Sequence, residues 1–252
     1  MTFVLTVLAA IALAGGAVAA ESQPPSCDVP ERLIPADNDL AHVSAEVKDR
    51  HRLYITVVGS GSSALAGPDG ARFAYPAQLE QALKDRLPGV EVKVTAHVPS
   101  RQTTADMAAA MPKIFADDHP ALVVWQAGTV DALRGVEPED FRNSLDQGLD
   151  AIAAASADVV MMNMQYSPRT ESMLSVAPFA DVMHWVAEQR GVLLFDRLGI
   201  MHYWSDEGTF DLYAATTGYA MARRVHECIG RALASQIINA AHLDAAKMQT
   251  TR

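Results

Sequence analysis

Leu53-Tyr-Ile-Thr-Val-Val-Gly59-Ser-Gly-Ser-Ser-Ala-Leu-Ala-Gly67 is the stretch on which the reading of this chain turns. Six mostly apolar or β-branched residues run straight into glycines and small residues, with no charge among them. A strand buried on both faces of a parallel sheet has this signature, a continuous apolar run ended by a sharp turn. Open α/β sheets bind ligands beyond the carboxyl ends of their strands, so this turn is the first place to look for chemistry.

The alternation of strand and helix recurs outward from it. Pro76 to about Leu87 carries apolar residues three and four apart, which predicts an amphipathic helix, and Pro88-Gly89 ends it. Val90-Glu-Val-Lys-Val-Thr95 alternates with period two and predicts a less buried strand at a sheet edge. Further strands are expected at Ala121–Trp125, Asp158–Met164 and Val192–Phe195. Helices are expected over Thr103 to Phe115, with Thr103 or Thr104 as cap, and over Pro138–Ala155, Ser175–Arg190 and Thr217–Ile238. The stretch through Trp204 and Asp206 reads as a loop. Five strands alternating with five helices predict a three-layer α/β/α domain around a doubly wound parallel sheet. That domain spans 51–240, with 241–252 as a C-terminal tail. Residues 21–50 hold Pro24, Pro25, Pro30 and Pro35 without a clear period and read as an N-terminal arm.

Composition bounds the function. At 252 residues, half of them hydrophobic, the chain can bury one substantial α/β core. A net charge of −10 argues against a nucleic-acid or anionic-membrane partner, since either needs a basic surface. Residues 1–20 contain no charged side chain and end Gly-Gly-Ala-Val-Ala-Ala, the pattern of a cleaved secretory signal peptide. The expectation is a periplasmic or secreted protein with no membrane span after processing. In an oxidising compartment Cys27 and Cys228 could pair, tying the arm to the last helix, or remain two free thiols. A Cα separation beyond about 7 Å would refute the pair. No His/Cys cluster has metal-ligand spacing, and Gly59-x-Gly61 lacks the third glycine of a dinucleotide fingerprint, so neither metal nor cofactor is expected.

Four loops leave the carboxyl ends of the strands: Gly59–Gly67, Val98–Thr104, Gln126–Asp131 and Phe210–Gly218. Their anchors are Gly59-Ser-Gly-Ser-Ser with Tyr75-Pro76, Trp125-Gln-Ala-Gly128-Thr-Val-Asp131, Gln165-Tyr-Ser-Pro-Arg169, Met201 with Trp204, and Gly218-Tyr219. In order and distance these resemble the SGNH (GDSL-type) hydrolases over Leu53 to Ala234. The resemblance implies a flavodoxin-like fold and hydrolysis of esters of small acids, lipids or decorated sugars.

The resemblance fails where the chemistry is done. The family's first block is Gly-Asp-Ser or Gly-Ser-Ser-Ser with the serine third; counted from Gly59, that place is Gly61. Counted from Gly61, Ser63 becomes the nucleophile, and Ser62 is a third possibility. Serines that merely tolerate a tight turn remain an equal reading. Arg101 stands where the family has an oxyanion glycine, and its bulk is expected to bar a glycine-only backbone path. The Gly-x-Asn-Asp block reads Gly128-Thr-Val130-Asp131, and valine donates no hydrogen bond to an oxyanion, a loss of roughly 10²–10³ in rate. The Asp-x-x-His block reads Phe210-Asp211-Leu212-Tyr213, and a neutral tyrosine, with a pKa near about 10, is a poor base. His97 and His202 are the histidines nearest these loops and the ones to test as a rearranged base.

The expected protein is therefore an exported SGNH-like domain, catalytically degenerate, that keeps its pocket for an acyl or carbohydrate-type ligand. Ser60, Ser62, Ser63, Arg101, Gln126, Asp131, Gln165, Arg169 and Tyr213 would line that pocket, with Gly61, Gly128, Val130 and Asp211 beside them. Arg101 and Arg169 would favour a carboxylate. Two alternatives stand beside this reading: an active serine esterase using Ser62 or Ser63, and a structural partner in an envelope complex whose protein partner is unknown.

Overall fold

The computed structural model describes residues 26–67, 69–214 and 219–243. The expected signal peptide, Gly218 and most of the expected C-terminal tail lie outside those residues. Five parallel strands, β1 (Arg52–Val58), β2 (Glu91–His97), β3 (Leu122–Gln126), β4 (Asp158–Met162) and β5 (Leu193–Phe195), form one sheet in the order β2-β1-β3-β4-β5. From β1 the chain steps one way to β2 and then the other way to β3. Loops on either side of such a reversal diverge and open a crevice at the strands' carboxyl ends, here between β1 and β3.

Alternation along each strand sorts its residues onto two cores. Leu53, Ile55, Val57, Leu122, Val124, Val160 and Met162 face one helical layer. That layer contains α1 (Ala41–Arg50), α3 (Tyr75–Arg86), α9 (Arg197–Asp206) and α10 (Ala220–Ala240). Val58, Val123, Trp125, Val159 and Met161 face the other, made of α4 (Thr104–Asp118), α6 (Pro138–Ala154) and α8 (Ala177–Arg190). Short helices α2 (Gly70–Phe73), α5 (Thr129–Arg134) and α7 (Pro168–Glu171) sit in the connections. The edge position of β2 matches its half-polar alternation: Val92 is buried while Glu91 and Lys93 are exposed.

Three expectations are corrected. The arm is not featureless, because its last ten residues form α1, with Val43 and Val47 fully buried against the sheet. That helix is held by distant partners: Asp158 accepts from the Val43 N–H, and the Ala240 carbonyl from the Leu40 N–H. The stretch through Trp204 is helix α9, not loop, with Asp196 as an N-cap accepting from the Gly199 N–H at 2.9 Å. Arg101 does take the left-handed backbone, with φ 67°. An L-residue with a Cβ tolerates that conformation at a cost of about 1–2 kcal/mol. Of the other left-handed non-glycine residues among those described, His51, His119, Ser156 and His242, the first two close α1 and α4.

Cys27 and Cys228 form a disulfide with Cα atoms 5.1 Å apart, joining the arm to α10 across 201 residues. The Trp204 indole N–H donates to the Asp28 carbonyl beside it, so the arm is stapled twice over the same face.

Candidate functional site

The strand register explains why the site assembles. Val58 pairs with Trp125, so Gly59 and Gln126 leave neighbouring strands side by side at the reversal point. The buried Gln126 side chain then reaches the serine turn, and its Oε1 accepts from the hydroxyls of Ser60 (3.3 Å), Ser62 (3.0 Å) and Ser63 (3.1 Å). The Ser60 backbone N–H, which can only donate, points at the same oxygen from 3.3 Å and fixes which end of the amide faces the turn. Gly59 allows this closeness: a Cβ there would lie 2.6 Å from Ser63 Oγ. Ser60 and Ser63 are buried, Ser62 half-buried, and Gly61 exposed.

A second tier of buried polar groups lies against that turn. The Tyr75 hydroxyl is 3.2 Å from Ser63 Oγ, and burial holds its pKa above the ordinary tyrosine value. Arg197, at the start of α9, donates from Nη1 to the Ser62 carbonyl and from Nη2 to Gln165 Oε1, both at 3.0 Å. Desolvation pulls its pKa down to about 10. The helix that carries it is anchored by Asn163 at the end of β4, which donates to Asp196 and accepts from the Leu198 N–H. His226, on α10, accepts the Tyr75 backbone N–H at Nδ1 over 2.9 Å. Burial first, and the Arg197 charge second, push its pKa down to about 3.

The remaining expected site residues are spread around the crevice. The Asp131 carboxylate is buried and committed to Thr104, accepting its N–H at 3.0 Å and its hydroxyl at 2.8 Å, so it positions the start of α4. Val130 is half-buried one residue before it. Gly128 has φ 95°, and a Cβ there would meet Met164 Sδ at 2.4 Å. Arg101 is exposed, its carbonyl bound by Arg134. Arg169 is exposed on α7. Asp211 spends its carboxylate on the N–H groups of Tyr213 and Ala214. Tyr213, 73% exposed, meets the Tyr166 hydroxyl at 3.1 Å, and this bond pushes the Tyr166 pKa up to about 12.

Neither candidate histidine joins the serines. His97 Nε2 pairs with Asp118 at 2.8 Å, and the same carboxylate accepts from Thr56. His202 stacks on Tyr166 with ring centroids 3.7 Å apart and approaches Glu171 at 3.4 Å. The acceptor that meets the hydroxyls is an amide oxygen, which takes a hydrogen bond but not a proton at neutral pH. Among the described residues, no group of three or more His, Cys, Asp or Glu side chains is placed to hold a metal ion.

Sequence reasoning missed Arg197 and His226, and used Tyr75 only as a spacing marker. The charged pair Asp196-Arg197 following the apolar strand Val192–Phe195 was a usable signal for Arg197; His226, in mid-helix, offered none.

A switch-point crevice flanked by the serine turn and the end of β3 defines an SGNH-type hydrolase scaffold, and the comparisons agree. Within that superfamily the chain belongs to the non-GDSL lipase-like family, whose model matches residues 26–243. It is 32% identical over 114 residues to esterase TesA of Pseudomonas aeruginosa, covering 45% of this chain and 55% of TesA. It is 30% identical over 121 residues to an arylesterase of Vibrio mimicus, covering 48% of this chain and 59% of that protein. The chain thus spans between half and two thirds of the length of these curated relatives. The crystal structure of TesA superposes with a TM-score of 0.56 at 26% identity, over 72% of this chain and 98% of that one. An acetylxylan esterase from Geobacillus stearothermophilus reaches a TM-score of 0.60 at 15% identity, over 74% and 93%, a likeness of fold alone.

Proposed function

We propose that this esterase-like protein is exported and has given up ester hydrolysis, keeping the crevice to bind an acyl or carbohydrate-type ligand. The observation that carries the reading is the convergence of three serine hydroxyls on Gln126 Oε1. A serine nucleophile needs a base that accepts its proton and an acid that orients that base. Here the groups around the hydroxyls are an amide oxygen and a buried phenol, and the imidazole nearest in the network, His226, is bound to a backbone N–H. Val130 in place of an oxyanion donor supports the same reading. The half-buried turn, the exposed Tyr213 and the neighbouring Arg197 leave binding groups where turnover groups would stand. Export rests on the uncharged, small-residue N-terminal pattern and fits the Cys27–Cys228 disulfide.

A fluorophosphonate probe tests the loss of chemistry. The mature protein is expected to take no label above that of the Ser62→Ala and Ser63→Ala variants, and to leave p-nitrophenyl esters unhydrolysed. Labelling abolished by either substitution would establish the serine-esterase alternative instead.

A further inference from the structure

Arg197 is a buried cation that lacks a counter-ion. Its side chain is wholly buried, its two terminal nitrogens donate to the neutral oxygens of Ser62 and Gln165, and its Nε has no partner. Among the described residues no carboxylate pairs with it, and the Tyr75 ring lies 5.7 Å from the guanidinium. Charges taken out of water are ordinarily paired or fully hydrogen-bonded, so an unanswered guanidinium is an unusual thing for a folded chain to keep.

Beside it lies a cavity of about 200 Å³, with Arg197 and His226 in its wall. The remaining wall is mostly apolar and includes Met201, Leu212, Met221 and Val225. His226 Nδ1 already accepts the Tyr75 N–H, so the neutral ring carries its proton on Nε2 and has a donor left to offer. Asp211 also borders the cavity, but it is exposed and its carboxylate is engaged by two backbone N–H groups. The volume is below the roughly 300 Å³ at which drug-sized sites begin, so the space suits a molecule of a few heavy atoms.

We propose that this cavity binds a small monocarboxylate with a short apolar tail. The carboxylate would answer the charge of Arg197 and accept from His226 Nε2, and the tail would lie against Met201, Leu212, Met221 and Val225. One buried positive charge beside a mostly apolar wall, with the Asp211 carboxylate already engaged by backbone N–H groups, selects a monoanion that brings its own hydrocarbon over a fully hydrated inorganic anion. The inference rests on the reading of the crevice as a binding site and names the class of ligand it would take.

The mature protein should be titrated with butyrate, butyramide and inorganic phosphate by calorimetry and ligand-observed NMR. Butyrate is expected to bind about tenfold or more tightly than butyramide, the scale of losing a charge-assisted hydrogen bond, and phosphate to compete poorly. Arg197→Gln and Ala222→Phe should each weaken butyrate by a similar factor. Ala222 borders the cavity, so the larger side chain fills it while leaving the guanidinium and its bonds in place. If Arg197→Gln fails to fold, Ala222→Phe decides. Equal binding of butyramide, stronger binding of phosphate, retained binding in Ala222→Phe, or no saturable butyrate binding would each overturn the proposal. Failure here with the serines still unlabelled removes only the ligand class, whereas serine-dependent labelling removes the parent reading.

Discussion

The two ends of the sheet carry cavities of opposite character. At the amino ends of the strands lies the larger one, about 520 Å³, bordered by His42, Glu46, Arg50, Arg52 and His119. Its charges are already answered there. Glu46 pairs with both Arg50 and Arg52, of which Arg50 is exposed and Arg52 half-buried. At the carboxyl ends the cavity is less than half that size, yet Arg197 and His226 in its wall are buried and tied to Ser62 and Tyr75, which lead on to the buried Ser63 and Gln126. Size does not locate the chemistry; the expensive arrangement of buried polar groups does, because water cannot compensate them.

The comparison can be broken by experiment. The largest effect is expected from Cys228→Ser, two residues beyond His226 on the same helix. Releasing a cross-link that spans 201 residues should cost about 4 kcal/mol in denaturant unfolding, with the wild-type protein under reducing conditions behaving likewise. Next comes acid. The folded His226 pKa of about 3 lies below its unfolded value of roughly 6.5, so as pH falls the unfolded chain takes the proton first. The stability tied to neutral His226 is therefore present above about pH 6.5 and lost progressively toward pH 3. Between pH 7 and pH 4 this amounts to about 3 kcal/mol that His226→Gln should not lose, measured as the difference between wild-type and variant unfolding at the two pH values. An equal loss in both proteins would show that the histidine is hydrated in the fold.

Gln126→Leu should cost about 2 kcal/mol, since it leaves the buried Ser60 N–H and the hydroxyls of Ser60 and Ser63 short of an acceptor. At the opposite end of the sheet, Glu46→Gln removes two ion pairs at once, but they are solvated and screened. The unfolding midpoint is expected to stay where it is; a clear drop would mean the amino-end cavity is electrostatically organised after all.

The segments that carried the resemblance and those that carry the new site differ in how they could be read. The serine turn, the end of β3 and the block at Gly128 follow apolar strands directly, so sequence order places them together. Helix α1 was illegible because its buried face is two residues, Val43 and Val47, and its amino end is satisfied by Asp158 and Ala240, more than a hundred residues away. Helix α9 was read as loop because its cap depends on Asn163 fixing Asp196 from the neighbouring strand. Arg101 shows the reverse error, since a rule about side-chain bulk gave way to a turn that holds the left-handed backbone at φ 67°.

The sequence by itself determined the parallel α/β sheet, the edge position of β2 and the crevice loops, because burial on both faces forces continuous apolar runs that end in turns. Through the resemblance it also led to the expectation that Val130 and Tyr213 stand where the hydrolases carry asparagine and histidine. Only the tertiary structure decided which groups meet the serine turn. Ser60 and Gln126 are 66 residues apart and Tyr75 and His226 are 151 apart, and their meeting depends on strand register and helix docking. No local pattern encodes such a meeting, because a hydrogen bond depends on distance in space and not on distance along the chain.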